Sequence, residues 1–228
     1  MLKPRKKIKK NEVEKEPLVE RVEATEKFIK ENSKLLAGVL AGLLIVVFVV
    51  VLMFRSKAKA NKQASGELGI AELSLAQGDT ADAVLRLEDL ISQYSGTTSA
   101  NFAYALLGKI SMAKGNYTEA IEDFKQYLED SRKQDFFTVQ VLNALANCYY
   151  IQEDYQGAAD TYMEAAKLAP YKFQENKSLL NAAKCYLSLS DVEQARELIT
   201  RVKDSKPDEQ EIKEKLNSLE HQLAAKNI

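Results

Sequence analysis

The chain has 228 residues, with 32 Lys or Arg against 33 Asp or Glu, no Trp, nine Gly and four Pro. So few turn-forming residues argue against a strand-and-turn architecture and favour helices. The net charge of −1 conceals an asymmetry: residues 63–228 carry 17 basic and 26 acidic side chains, a net of −9, which argues against nucleic acid as the main partner.

The N-terminal tail, residues 1–34, holds eleven Lys or Arg, six of them in the first ten positions. Residues 1–16 are charged and poor in apolar side chains, the composition of a disordered segment. Residues 18–34, "LVERVEATEKFIKENSK", place Leu18, Val22, Thr25, Phe28 and Ile29 on roughly one helical side. Such a helix either lies in a membrane interface or extends a spanning helix into solvent.

Residues 35–54, "LLAGVLAGLLIVVFVVVLMF", contain no charge. As a helix they would rise roughly 30 Å, the thickness of a bilayer's hydrocarbon core. Ala58-Lys59-Ala60 resembles a signal-peptide cleavage site, but the apolar run exceeds a signal's usual length, and Arg55 and Lys57 stand between. The expectation is therefore an uncleaved single-pass anchor in the lipid bilayer. The basic tail favours a cytoplasmic N-terminus, although Arg55, Lys57, Lys59 and Lys62 follow the span directly. Gly38 and Gly42, with Ala37 and Ala41 beside them, form a small-residue pair that can admit a second helix, so a homo-oligomer through the span is one expectation. Residues 55–63 form a juxtamembrane helix or linker.

Beyond them the sequence repeats. "IAELSLAQGDTADAVLRLEDLI", "LGKISMAKGNYTEAIEDFKQYL", "LANCYYIQEDYQGAADTYMEAA" and "AAKCYLSLSDVEQARELITRVK" begin at Ile70, Leu107, Leu145 and Ala182, at spacings of 37, 38 and 37. Small residues recur at Ala71, Gly108, Ala146 and Ala183, and again at Ala83, Ala120, Ala158 and Ala195. Two helices in a hairpin can approach closely only where small side chains face each other. Asp79, Asn116, Asp154 and Asp191 stand where each second helix begins and can cap it. Three residues later, Asp82, Glu119 and Gln194 are placed to complete a capping box. Leu87, Phe124, Tyr162 and Ile199 supply the larger core residue of each second helix, and Pro170 and Pro207 stop the chain after it. Residues 210–228 close the array with an amphipathic cap whose Ile212, Leu216, Leu219 and Leu223 share one face.

This pattern resembles the tetratricopeptide repeat over residues 64–209. The second copy matches best, through Leu107, Gly108, Gly115, Tyr117, Ala120 and Phe124. The expected fold class is all-α: one N-terminal transmembrane helix, an α-solenoid of about four helical hairpins, and a C-terminal capping helix. The resemblance implies that the first helices of the hairpins line an inner groove. Its residues would be Leu68 and Glu72; Phe102, Ala105, Lys109 and Met112; Gln140, Asn143, Asn147 and Tyr150; and Lys177, Leu180, Lys184 and Leu187. Apolar patches with Asn and Lys donors suit an extended peptide or a partner helix.

Nothing in the sequence points to catalysis. The lone histidine, His221, falls on the polar side of the cap, and neither a phosphate loop nor a metal-ligand cluster is present, so no cofactor is expected. Cys148 and Cys185 are one repeat apart, which on stacked hairpins separates them by roughly 10 Å, too far for a disulfide. They are read as small buried hydrophobes.

Tail, span and repeats together resemble the bacterial family of ancillary subunits of the SecYEG translocon. The most specific part is Phe28, Glu31, Asn32, Lys34 and Leu36. That resemblance implies an inner-membrane protein with its repeats in the periplasm, assisting translocating proteins and periplasmic chaperones at the secretion channel. A scaffold for envelope assembly or cell division, or an organelle import receptor with cytosolic repeats, are the alternatives.

Overall fold

The computed structural model describes residues 17–130 and 136–226; the expectation of disorder over residues 1–16 lies outside them. Among the described residues ten helices follow in chain order: α1 (Pro17–Glu31), α2 (Ser33–Ala76), α3 (Thr80–Gln93), α4 (Thr98–Ala113), α5 (Tyr117–Asp130), α6 (Phe136–Ile151), α7 (Tyr155–Leu168), α8 (Lys172–Ser188), α9 (Val192–Asp204) and α10 (Gln210–Lys226). No strand occurs among the described residues. The chain divides into two compact units, the first ending at Ser56 and the second beginning at Lys57.

In the first unit, α1 opens on Pro17, whose missing N–H costs nothing at a first helical position. Asn32 separates α1 from α2, but the backbone ladder continues across it. Asn32 N donates to Phe28 O at 3.0 Å, and Leu36 N donates to Asn32 O at 2.9 Å. Val22, Phe28 and Ile29 are exposed on α1, and the large apolar side chains from Val39 to Phe54 are each at least 42% exposed. α2 is the one helix among the described residues long and apolar enough to cross a membrane.

In the second unit each helix packs on its sequence neighbours. α4 lies against α5, α6 against α7, and α8 against α9, while α10 rests on both α8 and α9. Packing confined to neighbours is the signature of a solenoid. The close approach within each hairpin follows from the small side chains. Ala71, Ala83, Ala120, Ala146, Ala158, Ala183 and Ala195 are all fully buried, and Gly108 is buried with them. Leu87, Phe124, Tyr162 and Ile199 fill the space beside them. Ile212, Leu216 and Leu219 of α10 join the last core cluster, so the cap buries what would otherwise be a bare apolar end.

The turn inside each hairpin is the same four times over. Gly78, Gly115, Glu153 and Ser190 all adopt positive φ. The following backbone N–H groups of Asp79, Asn116, Asp154 and Asp191 reach back five residues to Ser74, Ser111, Tyr149 and Tyr186 at 2.8–3.0 Å. This is a Schellman C-cap. In three of the turns the Asx side chain then caps the next helix: Asp79, Asp154 and Asp191 accept from the N–H groups of Asp82, Gly157 and Gln194 at 3.0, 2.9 and 3.1 Å. The expected capping box does not form. Its reciprocal bond needs the Asx backbone N–H, which the preceding helix has already taken. The Asp82 carboxylate turns instead to Ser74 Oγ and Arg86 Nε, both at 2.6 Å, and Glu119 accepts from Asn116 Nδ2 at 3.3 Å.

Candidate peptide-binding groove

The helical period puts Gln140, Asn143, Ala144 and Asn147 along one face of α6, and Phe173, Gln174, Lys177 and Asn181 along one face of α8. Between the two faces lies a cavity of about 750 Å³. Val139, Ala144, Tyr162, Tyr171 and Phe173 form its apolar lining; Gln140, Asn143, Asn147, Gln174, Lys177 and Asn181 supply amides and one ammonium.

Two features of α8 set up this wall. Pro170 follows Ala169, whose extended backbone (φ −62°, ψ 121°) is what a residue before proline adopts, and α7 stops there. Tyr171 then occupies the N-cap of α8 without making a side-chain cap bond, and its ring stays 65% exposed at the mouth of the cavity. Across the groove, Asn143 ties the helices together. Its Nδ2 donates to Val139 O at 2.7 Å, and its Oδ1 accepts from Ser178 Oγ at 3.0 Å. Asn147 is exposed and stands at the rim of the cavity. Gln174 Oε1 is buried, and no donor among the described residues reaches it.

The residues expected from sequence therefore separate. Asn143, Asn147 and Lys177, with Gln140, line one cavity. Phe102, Lys109 and Met112 do not join it. Phe102 stacks against Phe137 at 4.7 Å and lies 6.0 Å from Tyr127, while Lys109 Nζ sits 4.9 Å over the Phe137 ring. Met112 is partly buried against the neighbouring core cluster. Tyr150 packs edge-on to Tyr155 at 5.2 Å and carries the ammonium of Lys184 at 4.3 Å over its ring. Leu180 corrects the sequence reading: it is fully buried in the last core cluster, as are Leu187 and, in its own cluster, Ala105. These side chains face the hairpin partner and present nothing to a ligand. Tyr171, Phe173 and Gln174 were missed, because they fall in the turn and first helical turn after Pro170, where the repeat alignment assigns no groove position. A Cβ added at Gly38 or Gly42 would stand in open space.

Cys148 and Cys185 are free and buried. Burial pushes their thiols up to about 11 and about 12. Among the described residues no group of His, Cys, Asp or Glu could hold a metal ion.

Comparison with known proteins bears on the repeats. Residues 99–170 and residues 67–97 each match a family model of the tetratricopeptide repeat. No curated protein matches the chain. Among solved structures, a tetratricopeptide repeat protein from Parabacteroides merdae aligns over 73% of this chain with a TM-score of 0.62 and 14% identity. The aligned part spans 60% of that protein. BtubC from P. vanneervenii aligns over 77% of this chain and 78% of its own, with a TM-score of 0.58 and 16% identity. Pseudomonas aeruginosa pilF aligns over 73% and 70%, with a TM-score of 0.54 and 17% identity. At these identities the likeness is one of fold. Together, the matched segments and the shared fold support a tetratricopeptide-repeat array over residues 67–170.

Proposed function

We propose that this protein is a membrane-anchored protein–protein interaction module that holds an extended polypeptide in the groove between α6 and α8. The observation that carries the reading is the groove itself, with an aromatic lining, a rim of side-chain amides and a buried amide oxygen, Gln174 Oε1, without a donor. A buried acceptor left unpaired is costly, and a backbone N–H of a bound peptide would satisfy it. Apolar side chains of the peptide would enter the cavity, while the amides bond its main chain.

The anchor is supported by the 20-residue uncharged run and the exposure of its large apolar side chains from Val39 to Phe54, which are stable in lipid and not in water. The basic tail supports an N-terminus in the cytoplasm and a repeat domain on the outer face of a bacterial inner membrane. Tethering raises effective concentration at the membrane, so a weak groove can still be occupied. That suits assistance to translocating proteins, or to their chaperones, at a secretion channel.

The test uses the full chain in neutral detergent and a fluorescein-labelled dodecapeptide that carries a Leu-Phe pair followed by three Gln. Replacing Tyr171 and Phe173 together by Ala is expected to weaken binding about tenfold or more, with helicity unchanged. Binding that ignores both substitutions would refute the groove. In sealed spheroplasts, added protease is expected to digest the repeat domain and spare the tail; the reverse pattern would refute the topology.

A further inference from the structure

The first and last helices of the repeat domain finish its core differently. At the C-terminal end, α10 lays Ile212, Leu216 and Leu219 over the last core cluster. At the other end, α2 turns Ala64, Ala71 and Ser74 inward and buries them. Its opposite side carries Gly66, Ile70 and Leu73, at spacings of four and three. Ile70 is 43% exposed and Leu73 56%, and Gly66 has nothing within 4 Å of where a Cβ would stand. The terminal repeats of a solenoid keep a polar outer face to stay soluble. The stripe on α2 breaks that rule, which marks it as a surface with a partner of its own.

Apolar positions that alternate by four and three are the a and d positions of a coiled-coil seam. Ile70 falls at a and Leu73 at d, the combination that favours two parallel strands, and Gly66 at the preceding d lets two backbones come close. In the same frame Lys62 is a g position and Glu67 the e position that follows it. These are the positions that form ion pairs between the strands of a parallel dimer. Both side chains are exposed, and among the described residues neither forms a salt bridge within the chain. Arg86, whose charge Glu67 also influences, is already paired with Asp82 at 2.6 Å. Counted back in sequence, the alternation passes Lys59 and Ser56 and meets Leu52, Val49 and Ile45 before Gly42 and Gly38. A lysine at a single seam position fixes register at a cost in stability.

We propose that the partner is a second copy of this chain: two α2 helices pair in parallel along Gly66, Ile70 and Leu73, and Lys62 of each copy pairs with Glu67 of the other. The pairing does not involve the groove between α6 and α8. It draws on the anchor only for direction, because two copies inserted the same way in one bilayer present α2 in the same sense. Residues 62–73 make only about three helical turns, a small interface by itself. Confinement to one membrane raises the effective concentration and fills it. Two grooves are then carried together on one paired stem.

The test measures the dimer dissociation constant of the full chain in neutral detergent by analytical ultracentrifugation, at a fixed ratio of detergent to protein. The chain is expected to dimerise, and Ile70→Lys with Leu73→Lys to raise the constant about tenfold or more. Lys62→Glu should raise it about threefold or more, and adding Glu67→Lys should restore it. All four positions are exposed, and melting curves by circular dichroism check that each variant is folded. In native membranes under mild oxidation, Leu73→Cys is expected to give a covalent dimer and Glu72→Cys, one residue off the seam, to give none. A chain that stays monomeric overturns the inference. So does a dimer that ignores Ile70→Lys with Leu73→Lys; if Gly42→Ile then abolishes it, the span alone holds the copies together. A charge exchange that fails to restore pairing, or equal cross-linking from positions 72 and 73, overturns the parallel seam.

Discussion

Gly108 has no side chain because Phe124 occupies the space one would need. A Cβ there would stand 2.7 Å from Phe124 Cδ1 and Cε1, and the ring is fully buried. Gly108→Ala must push the ring into close-packed neighbours, so it should destabilise the domain by about 1–3 kcal/mol in denaturant unfolding. An unchanged midpoint would contradict the hairpin packing. Ser190 presents the opposite case. It holds φ 61° at the turn position where the first two hairpins carry glycine. The left-handed region is strained for serine and free for glycine, so Ser190→Gly is expected to stabilise by about 0.5–1 kcal/mol, net of glycine's greater entropy when unfolded. A loss of stability would show that this turn is not held as described. The small residues at both hairpin positions were legible from sequence, because their recurrence at one period has a single steric cause. The positive φ at Glu153 and Ser190 was not, since neither residue advertises it.

The helices show where local patterns mislead. Asp79, Asp154 and Asp191 cap the second helices as their positions predict. The capping box looked equally plain in sequence, but it shares a donor with the Schellman turn before it, and only the assembled hairpin shows which bond wins. On α5, Asp123 lies half-buried near Glu119, Glu122 and, from α3, Glu88. Burial first, then these carboxylates, push its carboxyl up to about 7. Because the folded state holds the proton more tightly than the unfolded chain does, this group's contribution to stability is complete below about pH 4 and is lost as pH rises through about 7. Asp123→Asn should therefore flatten the decline in melting temperature between pH 5 and pH 8. A decline of the same slope in the variant would assign it to other groups.

For the whole molecule, the architecture was legible because a 20-residue apolar run and a 37-residue period each admit few structures. The groove was legible only in part. Assigning its wall by repeat position found Asn143, Asn147 and Lys177. It also took in Leu180, which the hairpin buries, and Phe102, whose ring stacks on Phe137 outside the cavity. Tyr171 and Phe173 escaped because what places them is the stop at Pro170, an irregularity that a periodic argument passes over. We propose that the face between α6 and α8, and not the outer face of the array, holds the partner. The most direct measurement places a photoactivatable cross-linking residue at Asn147 in the groove or at Glu197 on the exposed face of α9, in the full chain, with the labelled Gln dodecapeptide present. Binding between α6 and α8 should give a cross-linked product from position 147 that excess unlabelled peptide removes, and none from position 197. Cross-linking from position 197 with none from position 147 would contradict it.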